Sequence, residues 1–337
     1  MMATNRRIVL ASRPKTTASL SNFRLEEVQL PTLQPGEFLV RNHWLSLDPY
    51  MRGRMNDAKS YTAPQPLDQV MLGATAGEVI ESRNRDFAAG SKVVAYLGWQ
   101  EHGVSDGAGV MKVDTRHVSL QAYLGVVGMP GVTAWYGLNR IIEPREGLTI
   151  VVSAASGAVG SVVGQLARIG GARAIGIAGG TEKCRYVVEE LRFDACIDYK
   201  SDNSPEKLSK RLKEAAPNGV DGYFENVGGA MMNAVLPRMN AHGRIALCGL
   251  IAGYDAQPIP IDNPTWFLIN RLTLQGFIIT EHMDVWPAAL KELGEHVAAG
   301  RIKYRESVAH GIENAPQAFL GMLKGANFGK QLVKLVR

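Results

Sequence analysis

The apolar positions of this 337-residue chain change rhythm near Met129. Before that point they fall in short runs, some alternating, broken by proline and glycine: VQLPTLQPGEFLVRNHWLSLDP, GATAGEVIE, SKVVAYLGW and GVMKVD. Runs with a period of two, bounded by turn residues, are strands, and strands at this spacing predict a small barrel or sandwich. After Pro130 and Gly131 the spacing becomes helical in GVTAWYGLNRII, and then strands and helices alternate. LTIVVSA, ARAIGIAG, ACIDY, VDGYFENVG and GRIALCGL read as strands. VGSVVGQLARIG, TEKCRYVVEELR, SPEKLSKRLKEAA and MMNAVLPRM read as the helices between them. This βαβ rhythm predicts a parallel sheet with helices on both faces.

Residues 256–264 are proline-rich and predict a loop, followed by a helix in WFLINR, a strand in LTLQGFII and a helix in VWPAALKELGEHVAAG. The tail, from Tyr304, returns to strand, helix, strand. A doubly wound unit is already complete before it, so the tail is expected to rejoin the first β region. The predicted division is therefore a β domain over 1–127 and 303–337, interrupted by a dinucleotide-binding α/β domain over 128–302.

Charge changes this picture little. The net charge is +5, but the basic residues are spread without a Lys/Arg block, which argues against nucleic acid as partner. A mildly positive field favours an anionic ligand such as a phosphorylated cofactor. Residues Gly147–Ala167 carry no charge over a membrane-spanning length, yet a β-branched run followed by glycines reads as strand, turn and helix instead. No secretory signal pattern is present near the first residue, and the three cysteines, Cys184, Cys196 and Cys248, have no CxxC spacing. A reducing, cytoplasmic setting is the simplest expectation.

The strongest chemical signal is Ala154-Ala155-Ser156-Gly157-Ala158-Val159-Gly160, between a strand and a helix. Glycines there let backbone approach a pyrophosphate, and the helix N-terminus offers unpaired N–H groups. A GxxG pair also serves as a plain structural turn; the βαβ context favours dinucleotide binding. An NAD-binding fold places Asp or Glu at the end of the second strand for the ribose 2′-hydroxyl. Here that position falls in Ile177-Ala178-Gly179-Gly180-Thr181, without an acid, and Lys183 follows. A cation near a 2′-phosphate makes a charge-assisted contact, so NADPH is expected over NADH.

No metal set can be assembled by spacing. All three cysteines lie beyond residue 180, and the first β region, over 1–127, contains His43, His102 and His117 but no cysteine. Without a metal, charge developing on a substrate oxygen needs a hydrogen-bond donor. Tyr50 is expected on a loop after a β-domain strand, and Tyr254 just past the C-terminal end of a parallel strand, where such sheets bind ligands. Glu225-Asn226-Val227-Gly228-Gly229 and Cys248-Gly249 form other strand-end loops with room for a cofactor, where Asn226 can bond a ribose hydroxyl or cap the following helix.

These residues carry a resemblance. LSLDPYMRGRM, GMPGVTAWYGL, AASGAVGSVVGQLA, ENVGG, GRIALCGLIAGY and GMLKGANFGK resemble the zinc-free medium-chain dehydrogenase/reductases, in particular the prostaglandin reductase, alkenal double-bond reductase and NADPH-dependent curcumin reductase group. The resemblance implies a Rossmann domain inserted in a GroES-like β-barrel domain, NADPH as cofactor, and a homodimer joined through nucleotide-domain sheets, with LTLQGFII as the edge strand. It implies that Gly157, Ala158, Val159 and Gly160 hold the pyrophosphate, and that Lys183 and Tyr199 hold the 2′-phosphate region. Asn226 and the segment from Cys248 and Gly249 to Tyr254 would line the ribose and nicotinamide. Phe277, Ile278 and Ile279 would give backbone contacts to the nicotinamide, and Asn327 would reach the cofactor from the tail. Tyr254 would act on the substrate oxygen, and Tyr50 would line the pocket. The chain departs from some mammalian members in offering Trp266, Phe267 and Asn270 where they carry a tyrosine.

The expected reaction is hydride transfer to the β-carbon of an enal or enone. The enolate oxygen would be held by Tyr254 and the nicotinamide ribose 2′-hydroxyl, and the α-carbon protonated by Tyr254 or water. An NADPH-dependent quinone oxidoreductase and a non-catalytic NADPH-binding protein are the alternatives.

Overall fold

The computed structural model describes residues 4–201, 204–255 and 258–336. Two compact units divide the chain: Met1–Gly125 with Glu306–Arg337, and Val126–Arg305. The first contains β1 (Thr4–Leu10), β2 (Phe23–Gln29), β3 (Phe38–Ser46), β4 (Thr75–Ser82), β5 (Lys92–Ala95), β6 (His102–Ser105) and β7 (Met111–Lys112). The second contains β8 (Thr149–Ser153), β9 (Arg173–Ala178), β10 (Ala195–Asp198), β11 (Val220–Glu225), β12 (Met239–Leu247) and β13 (Thr273–Gly276). The tail returns to the first unit with β14 (Glu306–His310) and β15 (Lys330–Lys334).

In the first unit β1 and β2 pair antiparallel. A seven-stranded sheet runs β14-β15-β3-β4-β5-β7, with β6 also on β3. The tail strand β15 is thus hydrogen-bonded to β3, with Leu332 opposite Ser46. Its preceding helix, Ala315–Leu323, puts Phe319 into the core, where it meets Trp99 edge-on at 5.5 Å while Phe23 stacks on the same indole. Aromatic pairs of this kind add to the burial of their large apolar area.

The second unit has the strand order β10-β9-β8-β11-β12-β13, all parallel. This is the doubly wound order, which reverses direction between β8 and β11. Every residue of β8 is buried, as a strand covered on both faces requires. Alternate residues of β11 serve opposite faces: Tyr223 joins the core under helices Pro205–Ala215 and Ala230–Val235, while Phe224 meets Phe277 edge-on. Ser204 caps the first of those helices by accepting from the Lys207 N–H.

The uncharged segment 147–167 resolves into β8, a turn and the helix Gly160–Ile169, and no helix among the described residues is long and apolar enough to cross a membrane. Two local expectations change. Tyr50 is not on a loop but opens a one-turn helix, Tyr50–Arg54, held by the buried Arg52, which bonds the Thr16 carbonyl and Asn56. The LTLQGFII strand stops at Gly276, because its partner β12 ends at Leu247, opposite Gly276. Phe277 then turns inward against Tyr136 and Phe224. Of the proline-rich loop 256–264, residues 256 and 257 lie outside the described residues.

Candidate active site

The turn after β8 is tight, and it requires glycine at position 160. Ala154 adopts a left-handed φ of 49°, and its carbonyl accepts from the Gly157 N–H at 2.9 Å. A Cβ on Gly160 would lie 2.4 Å from the Ala154 carbonyl oxygen, so only hydrogen fits there. Gly157, Ala158 and Val159 lead directly into the ten-residue helix Gly160–Ile169; the Ser161, Val162 and Val163 N–H groups donate back to the Gly157 and Val159 carbonyls, which leaves those of Ala158, Val159 and Gly160 as the ones an anion can take. This is a cradle for an anion.

The next strand end supplies cations. Lys183 sits in the first turn of helix Thr181–Glu189 and is half-buried. Desolvation pushes its ammonium below the usual lysine range, and the like charge of Lys200 pushes the same way. An anion bound here would offset the like charge that Lys200 places beside Lys183. Tyr199 covers the strand end: a Cβ on Gly179 would lie 2.9 Å from its hydroxyl. Asp198 accepts from the Gly180 and Lys200 N–H groups at 2.7 and 2.9 Å, which shapes this turn. The sequence reading named Lys183 and Tyr199 but missed Lys200 and Asp198. Adjacency to Tyr199 was the available signal.

The ends of β11 and β12 bring Asn226, Cys248, Gly249 and Tyr254 together. Asn226 donates from its side chain to the Ser153 carbonyl and from its backbone to Ser153 Oγ, both at 2.8 Å. The Cys248 and Gly249 N–H groups both donate to the Glu225 carbonyl. A Cβ on Gly249 would lie 3.6 Å from the Tyr254 hydroxyl oxygen and 3.4 Å from the Asn226 carbonyl. The Tyr254 hydroxyl thus lies over the strand-end backbone. Burial pushes the Cys248 thiol up to about 12, which makes it a small apolar filler. Of the next segment, Phe277 and Ile279 are buried, Ile278 is half-buried, and the Ile279 carbonyl is occupied by Trp286 Nε1 and the His282 N–H.

Beneath these loops lies Glu225, a member of the strand-end loop to which the sequence assigns no role of its own. Glu225 is fully buried, with Oε1 accepting from Ser153 Oγ at 2.7 Å and the Val227 N–H at 2.6 Å, and Oε2 from the Tyr223 hydroxyl at 2.7 Å. It ties β8 to the Asn226 loop. Burial pushes its carboxyl above the usual range despite those donors. Nothing in ENVGG distinguishes a buried Glu from a solvated one by spacing alone.

The first unit holds Tyr50 and Asn327. The Tyr50 hydroxyl is buried without a hydrogen bond of normal geometry, near Tyr96, Tyr61 and Asp48, and burial pushes it well above the usual phenol range. Asn327 turns its side chain to the Gly329 carbonyl at 2.7 Å. Next to them Lys330, fully buried, donates to Asp48 Oδ1 at 2.7 Å and the Leu47 carbonyl at 2.6 Å, while Ser46 Oγ holds the other carboxylate oxygen. Among the described residues no group of three or more His, Cys, Asp or Glu is placed to hold a metal ion.

Two family descriptions match: "N-terminal domain of oxidoreductase" over residues 6–113 and "Zinc-binding dehydrogenase" over residues 158–295. The chain is 44% identical over 338 residues to the NADPH-dependent curcumin reductase of Escherichia coli, covering 98% of this chain and 97% of that one. It is 42% identical over 320 residues to prostaglandin reductase 1 of Rattus norvegicus, covering 93% and 94%. The chain belongs to this reductase family. Its fold superposes on the crystal structure of CurA in complex with NADPH from Vibrio vulnificus with a TM-score of 0.93, 45% identity, and coverage of 98% and 99%. Within the family, the strand-end loops just described are the part of the second unit where chemistry can be placed.

Proposed function

We propose that this protein is an NADPH-dependent reductase of the carbon–carbon double bond of α,β-unsaturated aldehydes and ketones. The observation that carries the reading is the Tyr254 hydroxyl lying over Gly249 beside Asn226, at the ends of β12 and β11. A phenol there can donate to a substrate carbonyl oxygen. The residues fit the cofactor: a pyrophosphate cradle at Gly157–Gly160 that tolerates no side chain at Gly160, and two lysines beside Tyr199 that favour a 2′-phosphate.

NADPH, when bound, supplies hydride to the β-carbon of the conjugated double bond. Gly157, Ala158, Val159 and Gly160 hold its pyrophosphate, and Lys183, Lys200 and Tyr199 its 2′-phosphate. Asn226, Cys248 and Gly249 line the ribose and nicotinamide, and Phe277, Ile278 and Ile279 bound that end. Tyr254 donates to the oxygen on which enolate charge develops, and so lowers the barrier most where that charge is greatest. On the same reading Tyr50 lines the substrate pocket and Asn327 contacts the cofactor. A homodimer forms through β13, the sheet's edge strand, next to the exposed Leu268 and Ile269. The free cysteines suit a reducing, cytoplasmic setting.

The test is a panel of enals, enones and diarylheptanoids with NADPH and purified protein. Loss of NADPH absorbance with saturated carbonyl products is expected. Turnover of quinones alone would sink the reading.

A further inference from the structure

Cys184 and Cys196 come from different elements, the helix Thr181–Glu189 and strand β10, yet their sulfurs lie 3.2 Å apart, with the Cys196 S–H donating to Cys184 Sγ. Gly176 on β9 makes the space. It stands opposite Cys196 in the sheet register, and a Cβ there would lie 2.9 Å from Val187 and 3.2 Å from Cys196 Sγ. Both cysteines keep partial exposure. The contact also separates their roles. The Cys196 hydrogen bond draws the Cys184 thiol below its usual range, whereas Cys196, burdened by that bond and by burial, moves up. One sulfur is thus prepared as nucleophile and the other retains its proton. Cys248, pushed to about 12 by burial, is prepared for neither.

We propose that Cys184 and Cys196 form an oxidant-responsive dithiol that closes to an intrachain disulfide with peroxides, reopens with thiols, and in closing weakens NADPH binding. The Cys184 thiolate attacks a peroxide oxygen: an S–O bond forms, the O–O bond breaks and hydroxide leaves. Cys196 then attacks the sulfenic sulfur: the S–S bond forms, the S–O bond breaks, and the second oxygen leaves as water. Two thiols lose two electrons and two protons to hydrogen peroxide, giving one disulfide and two waters. Low-molecular-weight dithiols reverse the step by exchange.

The effect on binding rests on the functional reading given above. A disulfide needs its sulfurs about 2.05 Å apart, so they must approach by roughly 1.1 Å. Lys183 is the residue before Cys184, and Tyr199 and Lys200 follow Cys196 by three and four positions. Drawing the helix onto β10 moves the lysine pair and the tyrosine relative to one another, in a turn already fixed by Asp198 bonds to Gly180 and Lys200.

The full chain is treated with a small excess of hydrogen peroxide, then examined by intact mass, peptide mapping and thiol titration under denaturing conditions. NADPH affinity is followed by fluorescence titration of the reduced, oxidised and re-reduced protein and of Cys184→Ser and Cys196→Ser. The expected result is loss of two hydrogens, a crosslinked peptide pair containing Cys184 and Cys196, and one remaining thiol. NADPH Kd should rise about tenfold, the worth of one charged contact. Dithiothreitol should restore it, and neither serine variant should respond. Oxidation that falls on Cys248, or stops at sulfinic acid without the crosslink, overturns the proposal. So does a crosslink that leaves Kd unchanged. Reduced protein that does not bind NADPH overturns the functional reading and the control of binding with it, while mass analysis still decides the disulfide.

Discussion

Lys330 Nζ donates to Asp48 Oδ1 at 2.7 Å across 282 residues of sequence, and both side chains are buried. The pair ties tail strand β15 to the segment that leads into Tyr50. Burial pushes the lysine below its usual range, and the carboxylate pulls it back up. Removing one partner leaves the other charge uncompensated in the core, which costs about 3–5 kcal/mol. Lys330→Met should therefore lower unfolding free energy by that amount in urea titration, and the double variant Lys330→Met/Asp48→Asn should recover part of it. A single-variant loss below about 1 kcal/mol would place the pair among weak, solvated contacts.

Tyr254 offers a separate test of chemistry. Its hydroxyl lies over Gly249, so Tyr254→Phe removes a donor and leaves the ring. Loss of one hydrogen bond to a developing oxyanion costs roughly 10²-fold in kcat. NADPH Kd should stay within about twofold, because ground-state cofactor contacts are intact. Unchanged kcat on enones would transfer the donor role elsewhere.

The sequence rhythm was enough to recover the parallel sheet and the return of the tail, because β8 is apolar throughout and the βαβ alternation admits few topologies. Two elements were misread for local reasons. DPYMRGRM contains a proline and two glycine-flanked basics, which resemble a loop; the buried Arg52 that turns Tyr50–Arg54 into a helix finds its acceptor at Thr16, far away in sequence. LTLQGFII has strand composition throughout, but its pairing is cut short by the length of β12. At the site, the glycine turn and Lys183 were legible by spacing. Glu225, Lys330 and the 3.2 Å approach of Cys184 to Cys196 were not, because each depends on residues brought together by the sheet.

The lysine pair predicts cofactor choice. Desolvation and the nearby charge of Lys200 lower the affinity of Lys183 for a proton, and a 2′-phosphate answers both. Lys183→Ala should raise NADPH Kd about 10- to 100-fold, in the range of one charged hydrogen bond, and leave NADH within about threefold. Lys200→Ala should act in the same direction, more weakly, and flatten the salt dependence of NADPH binding. Equal losses for NADPH and NADH, measured side by side by fluorescence titration, would mean that Lys183 supports the turn and not the phosphate.

Glu225 predicts a pH effect of defined sign. Burial raises its folded-state value above the ordinary 4.5, so the folded protein holds this proton more tightly than the unfolded chain. Stability then falls as pH rises from about 4.5 through the raised value, by up to ~1.4 kcal/mol per pH unit, and is flat above it. Gln at this position keeps an oxygen for Ser153 Oγ and the Val227 N–H and presents an amide to the Tyr223 hydroxyl, without a charge to desolvate. Glu225→Gln should therefore gain on the parent protein as pH rises from about 4.5 through the raised value in urea unfolding measurements, and NADPH affinity should be retained through the Asn226 loop. A gap between the two proteins that does not move with pH would show that the carboxylate is as well satisfied in the fold as in water.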